Sequence, residues 1–365
     1  MQIEGALSHC PLFFEFPKVK KIIQTIVWIA TASLAFYAIG WHGLVGCALV
    51  FGSIQICSPP TPESSTLKIN PNEFKPQFTN TNKYYAYRLL TQREPLLETA
   101  ITLEKVYMPQ EGTFLDHEDP LIQIKEGAFS YPGGIHDWTA NFGDERIFFG
   151  SVTGLLAQDE LQALEHPALS HVYTAIQNHP TFGRLDLDGS ALLVEGARRY
   201  GELKHVEELY GNAFAKAPLP TITVHGYEEP KENNLFVFVA PRIPSYKAGQ
   251  PYRYEDLRAL FDNAYTAFSA IVKRDADAVI HTGNWGCGAF GNDPKTVALI
   301  QFAAAKMAGV RNICYYPLEK KGPLNAGLKL FHEIHPKQGT REEFLRDVES
   351  HAADYGLVYR YGNGT

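Results

Sequence analysis

Apolar and polar positions divide the chain into three unequal stretches. Residues 22–57 contain no Asp, Glu, Lys or Arg. As one helix they would run to roughly 54 Å, against a hydrocarbon core of about 30 Å. Gly40-Trp41-His42-Gly43 offers a break, so two arrangements stay open: one membrane span with an apolar extension, or a two-helix hairpin. Lys18, Lys20 and Lys21 put a tail of residues 1–21 on the cytoplasmic side. A hairpin would return the globular part of the chain to that side, whereas a single span would place it opposite. Ser58-Pro59-Pro60-Thr61-Pro62 opens a Pro/Ser linker, expected over 58–79. Asn80 to Lys105 carries Leu89, Leu90, Leu96, Leu97 and Ile101 in a pattern that predicts helix, within an accessory region at 80–124.

From residue 125 the pattern changes to short apolar runs alternating with amphipathic stretches. Strands are predicted in Ile122–Trp138, Ala191–Gly196, Leu235–Ala240, Asp277–Ile280 and Asn312–Tyr316. Helices are predicted at Gln158–Leu164, His171–Gln177, Glu255–Val272, Lys295–Met307 and Arg341–Tyr355. This alternation indicates an α/β domain over 125–365, a mixed β-sheet flanked by helices on both faces. With the helical extension and the hydrophobic membrane segment before it, that is the expected fold class.

Composition narrows the function classes. A net charge of -7 argues against nucleic-acid binding, which normally needs a basic surface. Five cysteines at unpaired spacings and 13 histidines without a helical metal-ligand pair indicate neither a disulfide framework nor a metal site.

The most informative stretch is His281-Thr282-Gly283-Asn284-Trp285-Gly286-Cys287-Gly288-Ala289-Phe290-Gly291-Asn292-Asp293, between a predicted strand and a predicted helix. Asp293 is a good N-cap and Pro294 suits the first helical position. Four glycines in nine residues point to backbone amides approaching a ligand closely, at a helix start that favours phosphate. The pattern is neither a P-loop nor a clean dinucleotide fingerprint. Trp285 and Cys287 read as loop packing. Upstream, Gln158-Asp159-Glu160 opens a helix, where acidic residues are ordinarily a solvated end.

Together the two segments resemble the poly(ADP-ribose) glycohydrolases, whose catalytic domain is a macrodomain. Thr282 to Gly291 is similar to the family's loop nearly residue for residue. Phe148-Phe149-Gly150 leading to Gln158-Asp159-Glu160 resembles its glycine triplet and Gln-Glu-Glu triad, and Asp137-Trp138-Thr139-Ala140-Asn141 resembles a preceding segment. The resemblance implies glycosidic removal of ADP-ribose from poly(ADP-ribose) or from a mono-ADP-ribosylated protein. It implies that Glu160 is the acid/base, that Asp159 positions the ribose, and that Asn141, Gly150 and Gln158 contact substrate. Gly283, Asn284, Gly286, Cys287, Gly288, Ala289 and Phe290 would then hold the diphosphate. No cofactor and no metal is implied. Phe148 and Phe149 stand where the family has glycines, Asp159 where it has Glu, and Val206 near its adenine-stacking tyrosine. Tyr200, Tyr210, Tyr315 or Tyr316 are the substitutes. A reader that binds ADP-ribose without cutting it stays open as the alternative. The expected partners are ADP-ribose or an ADP-ribosylated protein, and a membrane through residues 22–57, with no nucleic acid. A hydrophobic leader on such a domain is similar to effectors of intracellular bacteria, which would face a cytoplasm, a host's included.

Overall fold

A computed structural model describes residues 64–92, 95–109, 114, 117–127, 131–187, 189–318, 321–334 and 339–362. They lie in a compact unit, Pro62–Thr365. Eight strands form one mixed sheet: β1 (Ser64–Ile69), β2 (Ile101–Tyr107), β3 (Leu121–Ile124), β4 (Asp137–Asn141), β5 (Ser190–Leu203), β6 (Val224–Val237), β7 (Val279–Gly283) and β8 (Asn312–Tyr316). Their order is β1-β2-β5-β6-β4-β7-β8-β3. The β1-β2-β5-β6 half is antiparallel. From β6 through β4, β7 and β8 to β3 the pairing is parallel.

Seven helices of eight residues or more flank the sheet among the described residues: α1 (Thr81–Leu90), α2 (Gln158–Glu165), α3 (Ala168–Ile176), α4 (Tyr254–Arg274), α5 (Pro294–Ala308), α6 (Lys321–Ile334) and α7 (Arg341–Ser350). The two-residue period of the strands decides which face each side chain serves. Leu192, Val194, Leu235 and Val237 point into a core shared with α1, α2 and α3. Ala191, Leu193, Phe236 and Phe238 point into the opposite core, with α4, α5 and α6. Helices therefore cover both faces, as the alternating pattern predicts.

The expected fold class needs one correction. No helix among the described residues is long and apolar enough to cross a membrane, so the membrane segment drops out of the fold class, and a membrane partner is not supported. Residues 22–57, which prompted both expectations, lie outside the described residues, as does the tail at 1–21. The helix expected from Asn80 to Lys105 ends at Leu90, and strand β2 takes over at Ile101. Pro95 lacks an N–H and disfavours helix before it, and the buried positions of Ile101–Tyr107 alternate as a strand's do. Strand β6 begins eleven residues before its expected start at Leu235, because Glu228, Glu229, Pro230, Lys231 and Glu232 read as loop. Helix α6 is not predicted from sequence because Gly322, Pro323 and Gly327 break its pattern. Gly327 is needed there: a Cβ would lie 2.7 Å from the Lys295 carbonyl oxygen on α5, so the two helices pack with backbones close.

Candidate active site

The carboxyl ends of the neighbouring parallel strands β6, β4 and β7 converge on one cleft of about 230 Å³. Phe142 and Gly143 follow β4, Ala240 and Arg242 follow β6, and Asn284 to Phe290 follow β7. Chain order reverses about β4, and open α/β sheets place ligands at such points. The first turn of α2 closes the cleft with Gln158, Asp159 and Glu160.

The loop after β7 is held by its ends. Asp293 caps α5 by accepting from the Thr296 N–H at 3.0 Å, and Pro294 sits at the start of the helix. Asn292 Nδ2 donates to the carbonyls of Pro241 (2.9 Å) and Gly286 (3.2 Å), folding the loop back on itself. Gly286 has φ 67°, and a Cβ there would lie 2.4 Å from Ala240 Cβ. Trp285 stacks on Phe238 at 4.0 Å and donates to its carbonyl at 3.1 Å, which makes it packing as well as cleft wall. Among the described residues, the N–H groups of Gly286, Gly288, Ala289 and Phe290 find no acceptor. Four free amides beside a cleft, just ahead of a helix N-terminus, form a cradle for an anion.

Across the cleft, Gln158 fastens α2 to the end of β4. Its Oε1 accepts from the Phe142 N–H at 3.0 Å and its Nε2 donates to the Ala140 carbonyl at 3.1 Å. Glu160 is buried, and its Oε2 accepts from the Ala157 N–H at 2.7 Å. Its side chain lies against Gly150: a Cβ on that glycine would come within 2.4 Å of both Glu160 Cγ and Oε1. Asp159 opens onto the cleft beside it. Burial first, and then the charge and hydrogen bond of Glu160, push the Asp159 carboxyl well above the usual carboxylate range. Two carboxyls in contact titrate as a pair.

Nine of the expected site residues line this cleft: Gly150, Gln158, Asp159, Glu160, Asn284, Gly286, Gly288, Ala289 and Phe290. Asn141, Gly283 and Cys287 do not. Asn141 is buried and donates to Gln162 Oε1 at 2.7 Å, bracing α2 from beneath. Gly283 ends β7, its carbonyl accepting from Gln301 Nε2 at 3.0 Å. The Cys287 thiol donates to the Trp285 carbonyl at 3.4 Å. Of the four candidate tyrosines, Tyr210 reaches the cleft; Tyr200 instead donates to Glu98 at 2.8 Å and Tyr315 to Asn284 at 3.3 Å. Tyr316 lines a separate depression with His281 and Asp137.

Three aspects of the site are not foreshadowed by the motifs. Arg146 stacks over Phe149, its guanidinium carbon 3.7 Å from the ring centroid, and Arg242 stacks over Phe290 at 4.1 Å. Both arginines line the cleft. Phe148 keeps the left-handed conformation a glycine would favour, with φ 58°. A cation five residues past the end of β6, a strand of the parallel set, is the available signal for Arg242.

A model of the family described as Poly (ADP-ribose) glycohydrolase (PARG), Macro domain fold, matches residues 184–323. Residues 184–323 are therefore similar to that family. The matched stretch contains the amide cradle of the poly(ADP-ribose) glycohydrolase loop and leaves Gln158-Asp159-Glu160 outside it. Among solved structures, the chain is similar to the poly(ADP-ribose) glycohydrolase of Thermomonospora curvata, at 16% identity over 73% of this chain and 85% of that one, TM-score 0.40. It is also similar to the Deinococcus radiodurans enzyme in complex with ADP-ribose, at 14% identity over 78% and 95%, TM-score 0.40. A third is the Thermomonospora curvata enzyme bound to the inhibitor ADP-HPD, at 15% identity over 73% and 84%, TM-score 0.39.

Proposed function

We propose that this protein is an ADP-ribosyl glycohydrolase that cleaves the glycosidic bond of ADP-ribose, in poly(ADP-ribose) or on a mono-ADP-ribosylated protein. The observation that carries the reading is the facing of two chemistries across one cleft, four free amides on one side and the Asp159–Glu160 pair on the other. The amides, with Arg242 beside them, suit a diphosphate. That leaves the ribose toward α2.

A protonated carboxyl is what cleavage of the bond requires. Glu160 gives its proton to the departing oxygen as the bond to the ribose anomeric carbon breaks and oxocarbenium character develops. The resulting carboxylate then takes a proton from the water that adds to that carbon, which restores the acid. Asp159, beside Glu160 on the cleft wall, faces the positive charge that develops on the ribose. The Ala157 N–H and the space left by Gly150 fix where the Glu160 carboxyl sits.

A specific observation favours binding without cleavage as the second reading. Phe148 and Phe149 occupy positions that the resemblance assigns to glycine, and Phe149 with Arg146 forms cleft wall. Incubation with poly(ADP-ribose) and with a mono-ADP-ribosylated protein separates the two. Release of free ADP-ribose from either supports the hydrolase, and tight ADP-ribose binding with no release from either supports the reader.

A further inference from the structure

Lys83 is a fully buried lysine on α1, a helix outside the matched residues 184–323. Lysine is almost never fully buried unless something offsets the desolvation of its charge. Among the described residues its ammonium group makes one hydrogen bond, to the Leu155 carbonyl at 2.8 Å. Leu155 lines the cleft, and the turn it begins runs to Ala157, whose N–H holds Glu160 at 2.7 Å. The ammonium group also lies over the Phe214 ring, 5.3 Å from the centroid. Next to it, Asn82 anchors α1 by donating to the carbonyls of Phe214 (2.7 Å) and Ala217 (2.8 Å). A neutral donor would satisfy the Leu155 carbonyl equally well, so the hydrogen bond alone does not account for a buried charge.

We infer that Lys83 is a positioning residue for the carboxyl pair: from behind α2 it fixes the turn that holds Glu160 and supplies a positive charge to the pair. The inference rests on the glycohydrolase reading of the cleft. Burial and then the charge of Glu160 drive the Asp159 carboxyl toward holding a proton, and the Lys83 cation opposes that. The coupling is visible from the lysine's side as well. Burial lowers Lys83 to about 8, while Glu160 and then Asp159 pull it back up. Other ionisable groups also face the pair. Tyr210 lies across the cleft, where burial and then Asp159 and Glu160 push its hydroxyl up, and Tyr131 is reached by the charge of Asp159. Arg146 with its partner Asp144, and Arg242, line the cleft wall.

The test compares the full-length wild-type chain with Lys83→Gln, which keeps a donor but loses the charge, and Lys83→Arg, which keeps both. ADP-ribose release is followed across pH. Loss of the cation raises the pair's ionisations, so the K83Q profile is expected to move to higher pH by about one unit while K83R keeps the wild-type profile. If K83Q and K83R slow release alike without displacing the profile, the lysine only packs. A second measurement avoids changing Lys83 at all: nitrogen-15 NMR titration of its ammonium group in wild type and in Glu160→Gln. Because coupling is reciprocal, removal of the carboxylate is expected to lower the lysine's midpoint. An unchanged midpoint overturns the inference. If wild type releases no ADP-ribose, the glycohydrolase reading fails, and the NMR comparison still decides whether Lys83 is coupled to the pair.

Discussion

Gly150 and Glu160 illustrate how a residue with no side chain controls one with chemistry. The acid lies where any Cβ on residue 150 would be, 2.4 Å from its Cγ and Oε1. Gly150→Ala must therefore displace the carboxyl. A displacement of about 1 Å is enough to cost on the order of 100-fold in a positioned reaction. The expected result is a loss of that size in ADP-ribose release with ADP-ribose binding retained, measured by turnover beside calorimetry. Asp159 makes a second case. Its carboxyl is raised in the folded protein, so its contribution to stability is fully present at acid pH and declines as pH rises through the folded value. Asp159→Asn removes that decline. The variant is expected to be more stable than wild type by roughly 1 kcal/mol near neutral pH, with little difference at pH 4, and to be slower in release. Thermal melts at the two pH values check it.

At the scale of elements, α2 is fastened at both ends, which is why its first turn can hold two carboxyls in register with the cleft. Gln158 ties the start to β4, and Glu165 ties the end to β5 through Arg199 at 2.7 Å and the Leu203 N–H at 2.9 Å. His166, directly after the helix, is buried between the Gln162 carbonyl and Asn233. Burial pushes its imidazole down to about 4, so the folded protein holds it neutral. The stability it contributes is present above its ordinary value of 6.5 and is lost as pH falls toward 4, amounting to about 3 kcal/mol in all. Melting temperature is expected to drop across that window in wild type and to drop less in His166→Gln; equal slopes would remove His166 as the cause.

The same elements show what can be read from sequence. Helices α2, α4 and α5 are legible because their signals are local: Asp293 and Pro294 mark a start, and apolar spacing marks a face. The outer part of β6 is not legible, because its residues are paired across the sheet to β5 and largely solvated, with little apolar alternation to betray them. The cradle and the acidic pair can be read as motifs. Arg146 and Arg242 cannot, since only the fold brings them to the cleft, and neither can Lys83, which the fold buries behind α2. Asn141 and Cys287 are not among the residues that line the cleft, because a short motif does not say which of its side chains turn inward.

For the molecule as a whole, the central claim is that the parallel half of the sheet joins a phosphate cradle to a carboxylic acid in one cleft, and that the acid cuts what the cradle holds. The most direct measurement is ADP-ribose release from poly(ADP-ribose) and from a mono-ADP-ribosylated protein, by wild type and Glu160→Gln, with ADP-ribose affinity measured on both. Glutamine keeps the shape and the contact with Ala157 but cannot deliver and recover a proton. Wild type is expected to release ADP-ribose from at least one substrate. Glu160→Gln is expected to bind ADP-ribose as tightly and to release it at least ~100-fold more slowly. Equal release by the two proteins, or binding by wild type with no release from either substrate, would contradict the account.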